Sequence, residues 1–161
     1  MEIAILQHVD FEGPAEIENW CRQTGNEYKV YRLFLGEALP KAERTDFLVI
    51  LGGPMSVLDE LPWLEEERQL IRVLISQGKP VFGVCLGGQQ IAKTLGADIF
   101  QGEYREAGWL PIRMMKSETL GELPEELVVF HWHGEQFGLP EGAERLFTSE
   151  VCPNQGFIYK E

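Results

Sequence analysis

The spacing of apolar positions changes character after Gly96. Before it, short apolar runs alternate with segments whose apolar residues recur at helical intervals. Ile3 to Gln7 reads as a buried strand. Gly13-Pro14 breaks it, and Pro14 suits the first turn of a helix over Ala15 to Gln23, with Gly25 as its terminator. Tyr28 to Leu33, rich in aromatic and β-branched residues, predicts a second strand. Phe47 to Leu51 predicts a third, apolar almost throughout, as a strand covered on both faces must be. Gly52-Gly53-Pro54 interrupts sharply. Pro62 then opens a helix on which Leu70, Ile71, Leu74 and Ile75 make one stripe, while Glu65, Glu66 and Glu67 form an acidic, solvated start. Gly78 ends that helix, Pro80 to Val84 is a fourth strand, and Gly87-Gly88 leads into a helix through Ile91, Ala92 and Leu95. This alternation predicts an α/β fold, a three-layer sandwich with a mainly parallel central sheet.

Beyond Gly96 four short strand candidates follow one another: Leu110 to Met114, Leu127 to Trp132, Arg145 to Thr148 and Gly156 to Tyr159. They are expected to extend or flank the main sheet, some of them antiparallel. No repeat, linker or low-complexity stretch divides the chain, so residues 1–161 are expected to form one domain.

Composition narrows the function. Asp and Glu number 26 against 14 Lys and Arg, a formal charge of −12, which argues against a general nucleic-acid binder. No apolar run approaches the roughly 20 residues of a membrane helix, and no basic leader precedes the first strand. Three cysteines, Cys21, Cys85 and Cys152, do not make a disulfide framework, and the expected compartment is the cytoplasm. Neither a G-x-G-x-x-G nor a P-loop pattern occurs, so no nucleotide cofactor is expected. Trp20, Trp63, Trp109 and Trp132 are scattered and are assigned to cores rather than to base stacking.

The chemistry concentrates at Gly83-Val84-Cys85-Leu86-Gly87-Gly88-Gln89. A cysteine between a buried strand and a helix, flanked two residues away on each side by glycine, has the layout of a nucleophile elbow. The glycines let the turn close. The helix N-terminus behind the sulfur favours thiolate, and the Leu86 amide is placed to bind an oxyanion. The plain alternative is a small buried cysteine at a strand end. Three histidines remain. His131 and His133 share one face of a strand and, with Glu135, could be read as metal ligands. No further ligand is apparent, so no metal is expected. His8 ends the first strand, where ligands of such sheets bind, but the pattern gives it no partner, and a core or capping role is expected.

The Cys85 segment resembles the G-x-C-x-G-x-Q signature of class I glutamine amidotransferases. Leu51-Gly52-Gly53-Pro54 is similar to that family's glycine-proline loop, and Glu106-Ala107-Gly108-Trp109 to the following segment in members of the GMP synthase type. Trp132-His133-Gly134-Glu135, Leu139 to Ala143, Ser149, Cys152 and Gln155-Gly156-Phe157 resemble the later part of the same group. Leu6-Gln7-His8 and Glu12-Gly13-Pro14 look like its stand-alone members.

The resemblance implies a flavodoxin-like three-layer fold and a glutaminase. Cys85 would attack the glutamine side-chain amide and form a γ-glutamyl thioester. The Gly53 amide, from the Gly52-Gly53 loop, and that of Leu86 would hold the oxyanion. Gln89, with His133, Gly134 and Glu135, would line the glutamine pocket, Gln89 and the backbone at 134–135 holding its amino-acid end. Ammonia would pass to a synthetase partner. The family's catalytic histidine and glutamate, in an F-H-P-E type segment one strand beyond Phe157, are not among these residues. The chain is therefore expected to be shortened from a longer parent, impaired in activity, and left with an exposed sheet edge that invites self-association. A non-catalytic module binding glutamine or a protein, and a related cysteine hydrolase of γ-glutamyl substrates, are the alternatives.

Overall fold

A computed structural model describes residues 1–117, 119, 121 and 123–159. The chain forms two compact units, Met1–Thr94 and Leu95–Glu161. The first contains β1 (Glu2–Gln7), α1 (Glu16–Gln23), β2 (Glu27–Arg32), β3 (Phe47–Ile50), α2 (Pro62–Ser76), β4 (Val81–Gly83) and α3 (Leu86–Thr94). Its strands pair in the order β2-β1-β3-β4, all in parallel. The predicted elements are all present, with ends shifted by one or two residues, as fraying ends usually are.

Strand side chains alternate between faces. Ile3, Ile5, Val49 and Leu51 pack with Cys21 of α1 and with Ile17, Tyr28, Val30 and Phe47. Ala4, Leu6, Leu48 and Ile50 are buried on the opposite face, where α3 approaches β3 closely enough for Gly87 to meet Ile50. Leu64, Leu70, Ile71 and Leu74 of α2 are buried, whereas Ile75 is only half-buried. A sheet with both faces covered explains why β1 and β3 read as unbroken apolar runs. The strand β4 lies at the sheet edge, with Phe82 and the adjacent Val84 exposed. Phe82 also borders an apolar groove of about 350 Å³ lined by Ile17, Trp20, Phe47 and Val49.

The second unit carries the run of strands expected beyond Gly96. Its strands, β5 (Ile99–Met114), β6 (Glu126–Phe137), β7 (Ala143–Thr148) and β8 (Gly156–Tyr159), do not extend the parallel sheet. They form a separate four-stranded sheet, order β6-β5-β7-β8, with antiparallel pairing throughout. β5 is 16 residues long, far beyond the Leu110 to Met114 read from sequence. Residues 101–108 carry no apolar run, and only the ladder to β6 makes them strand. The register shifts between Gln101 and Glu106, a bulge that twists the hairpin.

Along β6, Leu127, Val129, His131 and His133 are wholly or partly shielded, while Val128, Phe130 and Trp132 are exposed. Trp132 and Trp109 are therefore surface residues, 66% and 72% exposed, and Phe130 lies between them with ring-centroid separations of 6.4 and 5.6 Å. The expectation that these tryptophans serve cores is corrected. Among the described residues no helix is long and apolar enough to cross a membrane.

The α2 stripe gives a direct check. Leu74→Ala is expected to lower unfolding stability by about 2–5 kcal/mol, and Ile75→Ala by clearly less, in urea unfolding followed by circular dichroism. Equal losses would contradict the packing of α2.

Candidate active site

Cys85 occupies the turn between β4 and α3 and is exposed. Its φ is +50°, a left-handed conformation that side-chain-bearing residues rarely adopt. Strain of this kind persists only where surrounding structure enforces it. The enforcement is visible in the backbone. Val84 N–H donates to the Ile50 carbonyl at 2.9 Å, Gly87 N–H to the Val84 carbonyl at 2.9 Å, and Gln89 N–H to the Cys85 carbonyl at 3.0 Å. A Cβ on Gly83 would lie 2.4 Å from the Gly87 carbonyl carbon, and one on Gly87 would lie 2.2 Å from the Ile50 carbonyl oxygen. Both glycines are thus required by close backbone approach, not by their φ. The sulfur stands at the N-terminus of α3, where the helix dipole favours negative charge.

The Gly52-Gly53 loop sits at the stem of this elbow. A Cβ on Gly52 would meet the Cys85 Cβ at 3.6 Å, and one on Gly53 would meet the Leu86 Cδ2 at 3.1 Å and the His8 Cβ at 3.2 Å. Four of the expected site residues, Gly52, Gly53, Cys85 and Leu86, are therefore gathered, and Gln89 follows one turn along α3, buried. Glu12 stood in the resemblance only as a motif letter, yet its Oε2 would lie 2.3 Å from a Cβ on Gly52. Burial raises the Glu12 carboxyl above its ordinary range, with His8 pulling it partly back.

Glu67 overturns one expectation, whereas His8 is buried as a core residue would be and gains a partner. Glu67 is fully buried, not part of a solvated helix start, and its Oε2 lies 2.9 Å from His8 Nε2. His8 has the partner that sequence spacing did not show, 59 residues away. Glu65 remains exposed and pairs with Arg68 and Arg72, which hold its carboxyl below the usual range.

In the second unit, β5 places Glu106 opposite His133 and Gly108 opposite His131. Ligand atoms of Glu106, His131 and His133 all lie within 4.8 Å of one another, so Glu106 rather than Glu135 completes the histidine pair. His133 Nε2 lies 3.1 Å from Glu106 Oε2, and Gln155 reaches the same carboxylate. Gln155 Nε2 donates to Glu106 Oε2 at 2.5 Å and lies 3.4 Å from His131 Nδ1, while Ser149 Oγ donates to Glu106 Oε1 at 2.7 Å. His133 Nδ1 donates to the Glu135 carbonyl at 3.1 Å, and Gln101 Nε2 donates to the Gly134 carbonyl at 2.7 Å. The His133–Glu135 segment is thereby tied across the β5 bulge. Glu106, Ser149 and Gln155 stood in the resemblance only as motif letters; their meeting needs strands far apart in sequence.

A thiol raised from a strained strand-to-helix turn, on a parallel doubly covered sheet, has the layout of a nucleophile elbow on an α/β fold. Residues 12–161 match the family model for glutamine amidotransferase class-I. The chain is 33% identical to the glutamine amidotransferase-like protein YfeJ of Salmonella typhimurium, over 99% of the chain and 73% of that protein. It is 34% identical to the glutamine-hydrolysing GMP synthase of Bacillus cytotoxicus, over 75% of the chain but only 23% of that protein. Among solved structures, a glutamine amidotransferase from Thermotoga maritima superposes with a TM-score of 0.92 at 36% identity, covering 98% of this chain and 71% of that one. A glutamine amidotransferase from Methylobacillus flagellatus gives 0.93 at 32%, covering 98% and 65%. The chain belongs to the class I glutamine amidotransferase family.

Two measurements test the site. Gly87→Ala is expected to cost about 3 kcal/mol or more, because the intruding Cβ meets backbone; a loss under about 1 kcal/mol in urea unfolding would show that the turn can relax. Alkylation of the folded protein at pH 8 is expected to select Cys85. Burial raises Cys21 and pushes Cys152 up to about 11, so their thiolates are scarce. Peptide mapping that finds Cys21 or Cys152 alkylated as fast as Cys85 would contradict this.

Proposed function

We propose that this protein is a glutamine-hydrolysing amidotransferase unit that works through a Cys85 thioester. One observation carries the reading: Cys85 is held at φ +50° in a glycine-framed turn, with the Gly52-Gly53 loop at its stem. The thiolate attacks the side-chain carbonyl carbon of glutamine. The C–N bond breaks, nitrogen leaves as ammonia with an added proton, and water then cleaves the γ-glutamyl thioester to glutamate and regenerates the thiol. The Gly53 and Leu86 amides are assigned to the oxyanion. The roles of Gln89, His133, Gly134 and Glu135 toward the amino-acid end of glutamine rest on the family likeness.

GMP synthases among the relatives are glutamine-hydrolysing by name, and the relative from Thermoplasma acidophilum is named as one subunit of such an enzyme. This supports delivery of ammonia to a synthetase partner. We further propose that residues 1–161 act as a single domain, as the family match across both units supports. Neither a metal nor a cofactor is assigned a role.

The test is intact mass before and after incubation with a glutamine analogue carrying a diazoketone. A single adduct mapped to Cys85 and absent from Cys85→Ala is expected. An adduct that persists in Cys85→Ala would place the nucleophile elsewhere. No adduct on folded protein would favour a binding module instead. Residues 1–161 alone are expected to turn over glutamine slowly, since the family's histidine-glutamate segment is not among them. A rate near the enzyme range of about 1 to 10³ per second would show that the base comes from within.

A further inference from the structure

We propose that His8 is a positioning residue that latches the Gly52–Gly53 peptide in one orientation; the catalytic meaning of this rests on the reading of that loop as the oxyanion-binding segment. The latch begins with the acceptor on each side of the ring. His8 Nδ1 lies 3.1 Å from the Gly52 carbonyl oxygen, which can only accept, so Nδ1 carries a proton and donates. Nε2 lies 2.9 Å from Glu67 Oε2 with both side chains fully buried. Without a proton between them, two lone pairs would face each other away from water, so the His8–Glu67 pair holds one there.

The pair is fixed from behind. Glu67 Oε1 accepts from Gln90 Nε2 at 3.0 Å, Gln90 Nε2 also donates to the Leu64 carbonyl at 3.1 Å, and Gln90 Oε1 accepts from Arg68 Nη1 at 2.8 Å. Trp63 stacks on the imidazole at a ring-centroid distance of 5.1 Å. The ring is therefore anchored by α2 and α3 and cannot turn away from Gly52.

What this does follows from peptide geometry. The Gly52 carbonyl and the Gly53 N–H belong to one planar unit and, in a trans peptide, point in opposite directions. No cis peptide occurs among the described residues. Holding the carbonyl against His8 aims the Gly53 N–H away from it. Between two glycines such a peptide would otherwise rotate at little steric cost. His8 and its supporting chain select one of two orientations, and only that choice presents a donor at a fixed place.

The test uses a probe whose leaving group needs no protonation. On the γ-(p-nitrophenyl) ester of glutamate, Cys85 thiolate attacks the ester carbonyl, the C–O bond breaks, and p-nitrophenolate leaves as a measurable burst. His8→Phe, which keeps the stacking on Trp63 but removes the donor, is compared with the parent chain and with Glu67→Gln, whose amide can donate to Nε2 and leave the Nδ1 donor in place. For His8→Phe a fall in burst rate of about 10- to 100-fold is expected, with alkylation of Cys85 by iodoacetamide, which passes through no oxyanion, changed less than about twofold. Glu67→Gln is expected to keep the burst of the parent chain. Flipping of the Gly52–Gly53 peptide, read by NMR relaxation dispersion at the Gly53 amide, is expected in His8→Phe and not in Glu67→Gln. An unchanged burst in His8→Phe overturns the proposal, and so does a fall in Glu67→Gln as large as in His8→Phe. So does an equal fall in burst and alkylation, which would mean the elbow itself had collapsed. If the parent chain alkylates but gives no burst, the glutamine-site reading fails, and the Gly53 dispersion then judges the latch alone: its absence from His8→Phe overturns it.

Discussion

One close approach governs the first unit: Gly87 of α3 lies against the Ile50 carbonyl of β3, with no room for a Cβ. That contact sets how near α3 can come to the sheet, and so how tightly the chain must turn after β4. The turn is completed only by placing Cys85 at φ +50°. A left-handed cysteine is unfavourable by itself, and it persists because hydrogen bonds from Val84, Gly87 and Gln89 close on both sides of it. The exposure of the thiol and its station at a helix N-terminus are consequences of that packing.

Within each unit, a carboxylate is buried among polar partners. His8, Glu67, Gln90 and Arg68 satisfy one another across three elements of the first unit. In the second, Ser149 and Gln155 donate to Glu106, and Gln155 also approaches His131 Nδ1, while the buried His131 Nε2 has no hydrogen-bond partner among the described residues. Burying a carboxylate is costly unless donors converge on it. Each set provides those donors, and each lies beside residues that the family pattern assigns to substrate. Beside the Cys85 turn, the first unit is held by polar contacts as well as by apolar packing.

Much of the site was legible because its signals are local. Gly83, Cys85, Gly87 and Gln89 lie within seven residues, and their spacing alone describes an elbow. The loop Gly52-Gly53-Pro54 announces itself by composition. The strands of the first unit were legible because burial on both faces leaves an unbroken apolar run. The long strand β5 was not, because residues 101–108 are strand only through pairing with β6, and pairing partners leave no local trace. The exposure of Trp109 and Trp132 was likewise hidden, since an aromatic residue looks the same in sequence on either face of a sheet.

The amino-acid sequence by itself determined the cysteine elbow, the α/β alternation of the first hundred residues and the family, because each depends on short-range order that the backbone must obey. Tertiary structure alone decided that Glu67 is a buried partner and not a solvated one, that His8 faces the Gly52 carbonyl, and that Glu106 meets the two histidines. It also decided that β5 to β8 form their own antiparallel sheet. The physical reason is common to all four. A charge or a strand edge takes its role from whatever group packing brings opposite it, and the separation of 59 positions between His8 and Glu67 carries no record of that meeting.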